Sequence, residues 1–178
     1  PGAVALKKNH PSGGGLHPLE AYLLVRRVEQ LPSGLYHYNT QAHALDRLRE
    51  LSANEAGELA HAFVAGQDYF ADAPVQLVIA ARFARSFWKY RHHPKIHRAI
   101  LLEAGHLSQN LYLAATALDL GAYITAAINE VEIEQAFGLD PLLEGPLAVC
   151  GFGPRASRRR TIELDPLGKV WDGDALRS

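Results

Sequence analysis

Apolar residues recur at helical spacing over residues 96–120: Ile100, Leu101, Ala104, Leu107, Leu111, Ala114, Ala115 and Leu118, with Gly121 as the stop. The pattern predicts a long central helix, apolar over much of its circumference. Ser52 and Glu55 have capping-box spacing, and Leu59, Ala62 and Phe63 extend that helix to about Ala65. Asn129 and Glu132 cap a shorter helix that ends at Gly138. Residues 75–81 (VQLVIAA) and 146–153 (PLAVCGFG) are continuous apolar runs, predicting strands buried on both faces. Residues 20–28 are β-prone, Pro32-Ser33-Gly34 signals a turn, and LYHY and HALDRL flank a short hairpin loop at residues 39–42. TIEL, after a basic run, is a last short strand. Helices and strands mix without strict alternation, which predicts an α+β fold with one domain over residues 1–178.

Composition narrows the function classes. The chain has 178 residues, 48% hydrophobic and 21% charged, the balance of an ordinary globular domain. A formal net charge of -1 gives no global attraction to nucleic acid or an anionic membrane, so any anion site is local. One cysteine, Cys150, excludes an intrachain disulfide framework; within its apolar run it reads as a buried small side chain. The longest apolar stretch, residues 99–128, is broken by Glu103, His106, Gln109, Asn110 and Asp119, and residues 1–10 lack a signal-peptide core. A cytoplasmic protein is expected. Methionine is absent, so the sequence is expected to be a piece of a longer chain.

Four segments offer chemistry. HPSGGGLHP places three glycines between prolines, where bare backbone can meet a planar or anionic ligand; alone, it reads equally as a flexible turn. It is neither a phosphate-binding GK[ST] loop nor GxGxxG. RASRRR holds Arg155 and Arg158, Arg159 and Arg160, the densest positive cluster: a phosphate grip or a solvated basic turn. FWKYRHHPKIH gathers Lys89, Tyr90 and several imidazoles, groups able to move protons. His93 and His97 are four apart, but Pro94 intervenes and no carboxylate or cysteine stands at ligand spacing, so no metal site is expected there. Finally, Thr125-Ala126-Ala127 is a small-residue stretch, either helix-packing alanines or a place for something flat.

In this order, the loop PSGGGLHP, then GLYHY, Trp88-Lys89-Tyr90, EAGH with QNLYLAA, and a strand ending Gly-Phe-Gly resemble the SagB-type dehydrogenases of the FMN-dependent nitroreductase superfamily. The resemblance covers about residues 11–160. It implies an α+β sandwich with a mixed, mainly antiparallel sheet, and a homodimer with FMN at the subunit interface. Pro11, Ser12, Gly13 and Gly15 would line the flavin, with His17 near its edge. Thr125, Ala126 and Ala127 match the segment whose backbone amide contacts the flavin N5, and the run Arg158, Arg159 and Arg160 matches the phosphate-binding residues. Lys89 and Tyr90 match the catalytic pair of peptide azoline dehydrogenases, with Tyr90 as base or relay and Lys89 favouring its phenolate. The implied partners are a peptide substrate and other maturation enzymes. The Arg-rich segment expected before the loop is not in this sequence. Two other functions stay open: an NAD(P)H-dependent nitroreductase or flavin reductase, and a flavin-free scaffold subunit.

Overall fold

The structure is a computed structural model and describes residues 7–155. Six strands form one sheet: β1 (Leu19–Val25), β2 (Gly34–Asn39), β3 (Ala44–Glu50), β4 (Val75–Arg82), β5 (Leu120–Thr125) and β6 (Glu144–Pro154). Their order is β3-β2-β1-β4-β6-β5, and every described pairing is antiparallel. Among the described residues there are five α-helices: α1 (Ala53–Phe63), α2 (Asp68–Ala71), α3 (Ala84–Tyr90), α4 (Ile96–Ala117) and α5 (Glu130–Phe137). The expected α+β class and mainly antiparallel sheet are found.

The alternating side chains of β4 divide the core. Val78 and Ala80 face one side with Tyr22, Leu24, Phe63, Ile133, Phe137 and Val149, under α1 and α5. Leu77, Ile79 and Ala81 face the other with Leu19, Ile96, Ile100, Ala104 and Cys150, under α3 and α4. The sheet is thus sandwiched between two helical layers, which is why residues 75–81 are apolar apart from Gln76, which is buried and donates to the Ala60 carbonyl at 2.9 Å. Cys150 is buried as expected, and desolvation pushes its thiol up to about 12, leaving it a packing residue.

Local signals hold at the helix ends. Ser52 and Glu55 form the reciprocal capping box, with Ser52 N–H donating to Glu55 Oε2 at 2.9 Å. The Asn129 side chain accepts from Glu132 N–H, and Gly138 ends α5 in the left-handed region at φ 65. The long helix differs from expectation: it stops at Ala117, not Leu120. Asp119 takes the left-handed turn at φ 56, which Asp tolerates better than most side chains, and Gly121 then lies inside β5. The small-residue stretch therefore begins at the last residue of a strand, Thr125, and leaves it at Ala126 and Ala127.

The glycines of the Gly-Phe-Gly strand have packing roles. A Cβ at Gly151 would stand 2.0 Å from Tyr123 Cε1, and one at Gly153 would stand 2.5 Å from Pro74 Cδ. Tyr123 crosses that bare backbone to stack on Phe70, with centroids 4.1 Å apart, and donates to the Phe70 carbonyl at 2.8 Å. No described helix is long and apolar enough to cross a membrane.

Candidate active site

The site lies at one edge of the sheet. β1 begins where β4 ends, with Leu19 opposite Ala81. β4 and β5 run in the same direction, each antiparallel to β6. The glycine loop before β1, the helix α3 after β4 and Thr125 at the end of β5 therefore leave the sheet on the same side. Three strand spacings separate β1 from β5, about 14 Å. Within one chain the loop and residues 125–127 therefore adjoin strands that are not neighbours in the sheet. The run 158–160 lies outside the described residues.

Gly13–Gly15 forms a single 3-10 turn, and Gly14 has φ 68, a left-handed value that costs glycine little. Ser12 braces the turn: its Oγ accepts from His17 N–H at 2.8 Å, and its carbonyl accepts from Gly15 N–H at 3.0 Å. Gly14 and Gly15 are exposed, and a Cβ at Gly15 would meet nothing within 4 Å. At Gly14 the same atom would lie 2.5 Å from Tyr90 Oη and 3.0 Å from Lys89 Nζ. Lys89 and Tyr90 converge on this glycine from the last turn of α3, with Lys89 Nζ donating to the Gly14 carbonyl at 3.4 Å. The helix end abuts the glycine turn, so that both side chains reach one small target.

Thr125 is buried and its Oγ1 accepts from Ala127 N–H at 3.1 Å, while the Ala127 carbonyl accepts from Gln67 Nε2 at 2.8 Å. Ala126 is exposed beside them. Pro11 is exposed on the loop, and His17 is buried beneath it with a left-handed φ of 47. A left-handed backbone in a histidine stores strain that the surroundings must hold.

Two supports of the loop escaped the sequence reading. Arg85 on α3 donates to the His17 carbonyl at 3.1 Å and pairs with Glu20 at 2.5 Å, while Glu20 Oε2 lies 2.8 Å from His37 Nε2. Burial alone would raise the Glu20 carboxyl, but the His37 hydrogen bond and the Arg85 and Arg82 guanidiniums outweigh it and hold it below the ordinary 4.5. A depressed carboxylate contributes stability that is present above its unfolded value and lost as pH falls through the folded one. Glu20→Gln is therefore expected to flatten the acid side of a melting-temperature profile below about pH 5. An unchanged profile would remove Glu20 from the acid response.

The second support is Glu103 on α4. It is 2% exposed, and its Oε1 lies 3.4 Å from His10 Nε2 and 3.8 Å from His17 Nδ1. The histidines flank the glycine loop, one at each end. Burial keeps the His10 imidazole below its ordinary value, although the Glu103 charge pulls the other way. His93 and His97 take no part in any three-ligand cluster among the described residues.

Comparison with known proteins places the chain by its sequence and fold. The Nitroreductase family model covers residues 3–154. The MJ1384 protein of Methanocaldococcus jannaschii, described as a nitroreductase, is 36% identical over 142 residues, 79% of this chain and 69% of that protein. The trifolitoxin-processing protein TfxB of Rhizobium leguminosarum bv. trifolii is 31% identical over 144 residues, 80% of this chain but 38% of TfxB. Among solved structures, the Escherichia coli microcin synthetase McbBCD complex with truncated pro-MccB17 superposes with a TM-score of 0.74 at 25% identity. That match covers 85% of this chain and 57% of the other. The chain thus spans well under two thirds of both peptide-processing matches. With the family model spanning the sheet, the glycine turn and both helical layers, the chain belongs to the nitroreductase family.

Proposed function

We propose that the protein is an FMN-dependent dehydrogenase that oxidises thiazoline or oxazoline rings in a ribosomally made peptide. The observation that carries this reading is the convergence of Tyr90 Oη and Lys89 Nζ on Gly14, beside an exposed turn that presents backbone without side chains. The family is one of oxidoreductases, and relatives named for trifolitoxin and microcin processing support a peptide as substrate.

The residues present fit a flat cofactor. The exposed turn is open above Gly15, and Ser12 holds its shape from inside. In this reading Pro11, Ser12, Gly13 and Gly15 would line the flavin with His17 near its edge, and the segment Thr125, Ala126 and Ala127 would offer it a backbone amide. The run Arg158, Arg159 and Arg160 supplies the phosphate contact. FMN, when bound, supplies the acceptor for the hydride half of the two hydrogens lost from the ring. Tyr90, with its oxygen deprotonated, would take the ring proton and become the neutral phenol, with the Lys89 ammonium beside it at the glycine turn. A homodimer belongs to the same proposal. It is supported by Leu101, Leu102 and Leu113 on α4, each about three-fifths exposed and in want of cover. Placement in the cytoplasm is supported by one buried cysteine without a disulfide.

A second reading, an NAD(P)H-dependent nitroreductase, is favoured by the MJ1384 match, the more identical of the two sequence relatives. One set of measurements separates the functions. The purified full-length protein is expected to absorb near ~450 and ~370 nm from flavin. It should then oxidise an azoline peptide with oxygen as acceptor and be bleached poorly by NADH or NADPH. Rapid bleaching with turnover of nitroarenes would replace the proposal by the second reading. A colourless protein that takes up no added FMN would mark a scaffold subunit.

A further inference from the structure

We infer that His10, His17 and Glu103 bind one divalent metal ion of the zinc type beneath the glycine turn. Their donor atoms all lie within 4.8 Å of one another, and all three side chains are buried. The two edges to Glu103 Oε1 are 3.4 Å and 3.8 Å, and the third is no longer than 4.8 Å. A tetrahedral ion bonded at ~2.0–2.1 Å needs donor–donor edges of about 3.3–3.4 Å, so side-chain rotations that draw the imidazoles together complete the geometry. Two imidazoles and a carboxylate are a donor set suited to zinc and its first-row neighbours.

The chemistry of burial points the same way. Glu103 Oε1 and both His10 ring nitrogens have no hydrogen-bond partner, although both residues are at least nine-tenths buried. The 3.4 Å separation of His10 Nε2 and Glu103 Oε1 is too poorly aligned to count as a hydrogen bond. A buried carboxylate oxygen whose nearest partners are imidazole nitrogens at 3.4 Å and 3.8 Å is costly, and a coordinated cation removes that cost. Lys8 senses the Glu103 charge but forms no ion pair with it among the described residues. A cavity of about 350 Å³, bordered by Lys8, Asn9, His10, Glu20 and Leu107, opens onto His10 and offers a path of entry.

The role follows from position. His10 stands before the glycine turn, His17 after it, and Glu103 on the helix beneath. An ion shared by the three would staple both ends of an eight-residue loop to α4. It would hold the turn that meets Lys89 and Tyr90. The site rests on these three side chains and does not depend on the proposed flavin chemistry.

The full-length protein, stripped with a chelator, should bind about one Co²⁺ per chain and show the visible bands of low-coordinate cobalt. Elemental analysis of protein purified without chelator should find zinc at the same stoichiometry. Glu103→Gln and His10→Ala, checked as folded by circular dichroism, should lose the cobalt spectrum, whereas His93→Ala with His97→Ala should keep it. Wild-type protein with neither retained zinc nor a cobalt spectrum would overturn the proposal, as would loss of the signal in the His93/His97 variant. Flavin content, read from the same samples, reports separately on the function proposed above.

Discussion

Tyr90→Phe is expected to lower kcat for azoline oxidation by on the order of 10²–10⁴-fold, the usual contribution of a positioned proton-transfer group, with bound flavin unchanged. The substitution removes one oxygen and leaves the ring that packs against the core cluster under α4. The fold and the glycine turn should therefore survive it. Lys89→Ala removes a long contact to the Gly14 carbonyl from an exposed side chain, so its effect should be smaller, about tenfold, or 1.4 kcal/mol in the barrier. Because the two groups approach the same glycine, the double variant should lose less than the product of the single losses. Steady-state rates on an azoline peptide, normalised to flavin absorbance, decide this. Full activity in both single variants would remove the pair from the mechanism.

Phe63→Ala is expected to cost about 3–5 kcal/mol, the range for emptying a buried aromatic site. Phe63 is fully buried at the end of α1 and lies 5.7 Å from Phe137 of α5, centroid to centroid; Phe137 in turn lies 5.1 Å from Tyr22 of β1. The ring thus joins two helices to the sheet. Its carbonyl also accepts from Asn129 N–H at 3.2 Å, so the backbone that enters α5 is tied to the same place. Against a total stability of roughly 5–15 kcal/mol, the loss should move the urea midpoint far toward water. Ile133→Val, in the same cluster, should cost only about 0.5–1.5 kcal/mol. A Phe63→Ala midpoint no lower than that of Ile133→Val would show that this interface is not the keystone of its layer.

Legibility in the sequence depended on how far apart the interacting residues stand. The capping box at Ser52, the cap at Asn129 and the apolar run of β4 are local, and their physics is complete within a few residues. The α4–β5 boundary was missed because a glycine is the commoner helix stop, whereas here Asp119 supplied the left-handed residue two positions earlier. The short helix α3 carries no capping side chain and precedes Pro94, so nothing in its pattern announced it. At the site, the glycine loop and the Lys-Tyr pair were visible as motifs, but their meeting at Gly14 spans 75 residues. Glu103 stands far along the chain from His10 and His17 and looked like one more polar residue on an apolar helix. Only the fold brings the three together.

The outer strand β3 has a consequence for life in a crowded solution. All seven of its residues are exposed, and four of them, Asp46, Arg47, Arg49 and Glu50, carry charge. A stray strand from another molecule, aligning along that border, would have to strip water from those charges on both faces of the ribbon. Flanking β2 already draws on the inner row of amide and carbonyl groups, so the outer row is left facing a guarded rim. Such rims discourage the runaway stacking that leads to aggregates, and neutralising the four charges together would be the quickest way to make this molecule sticky.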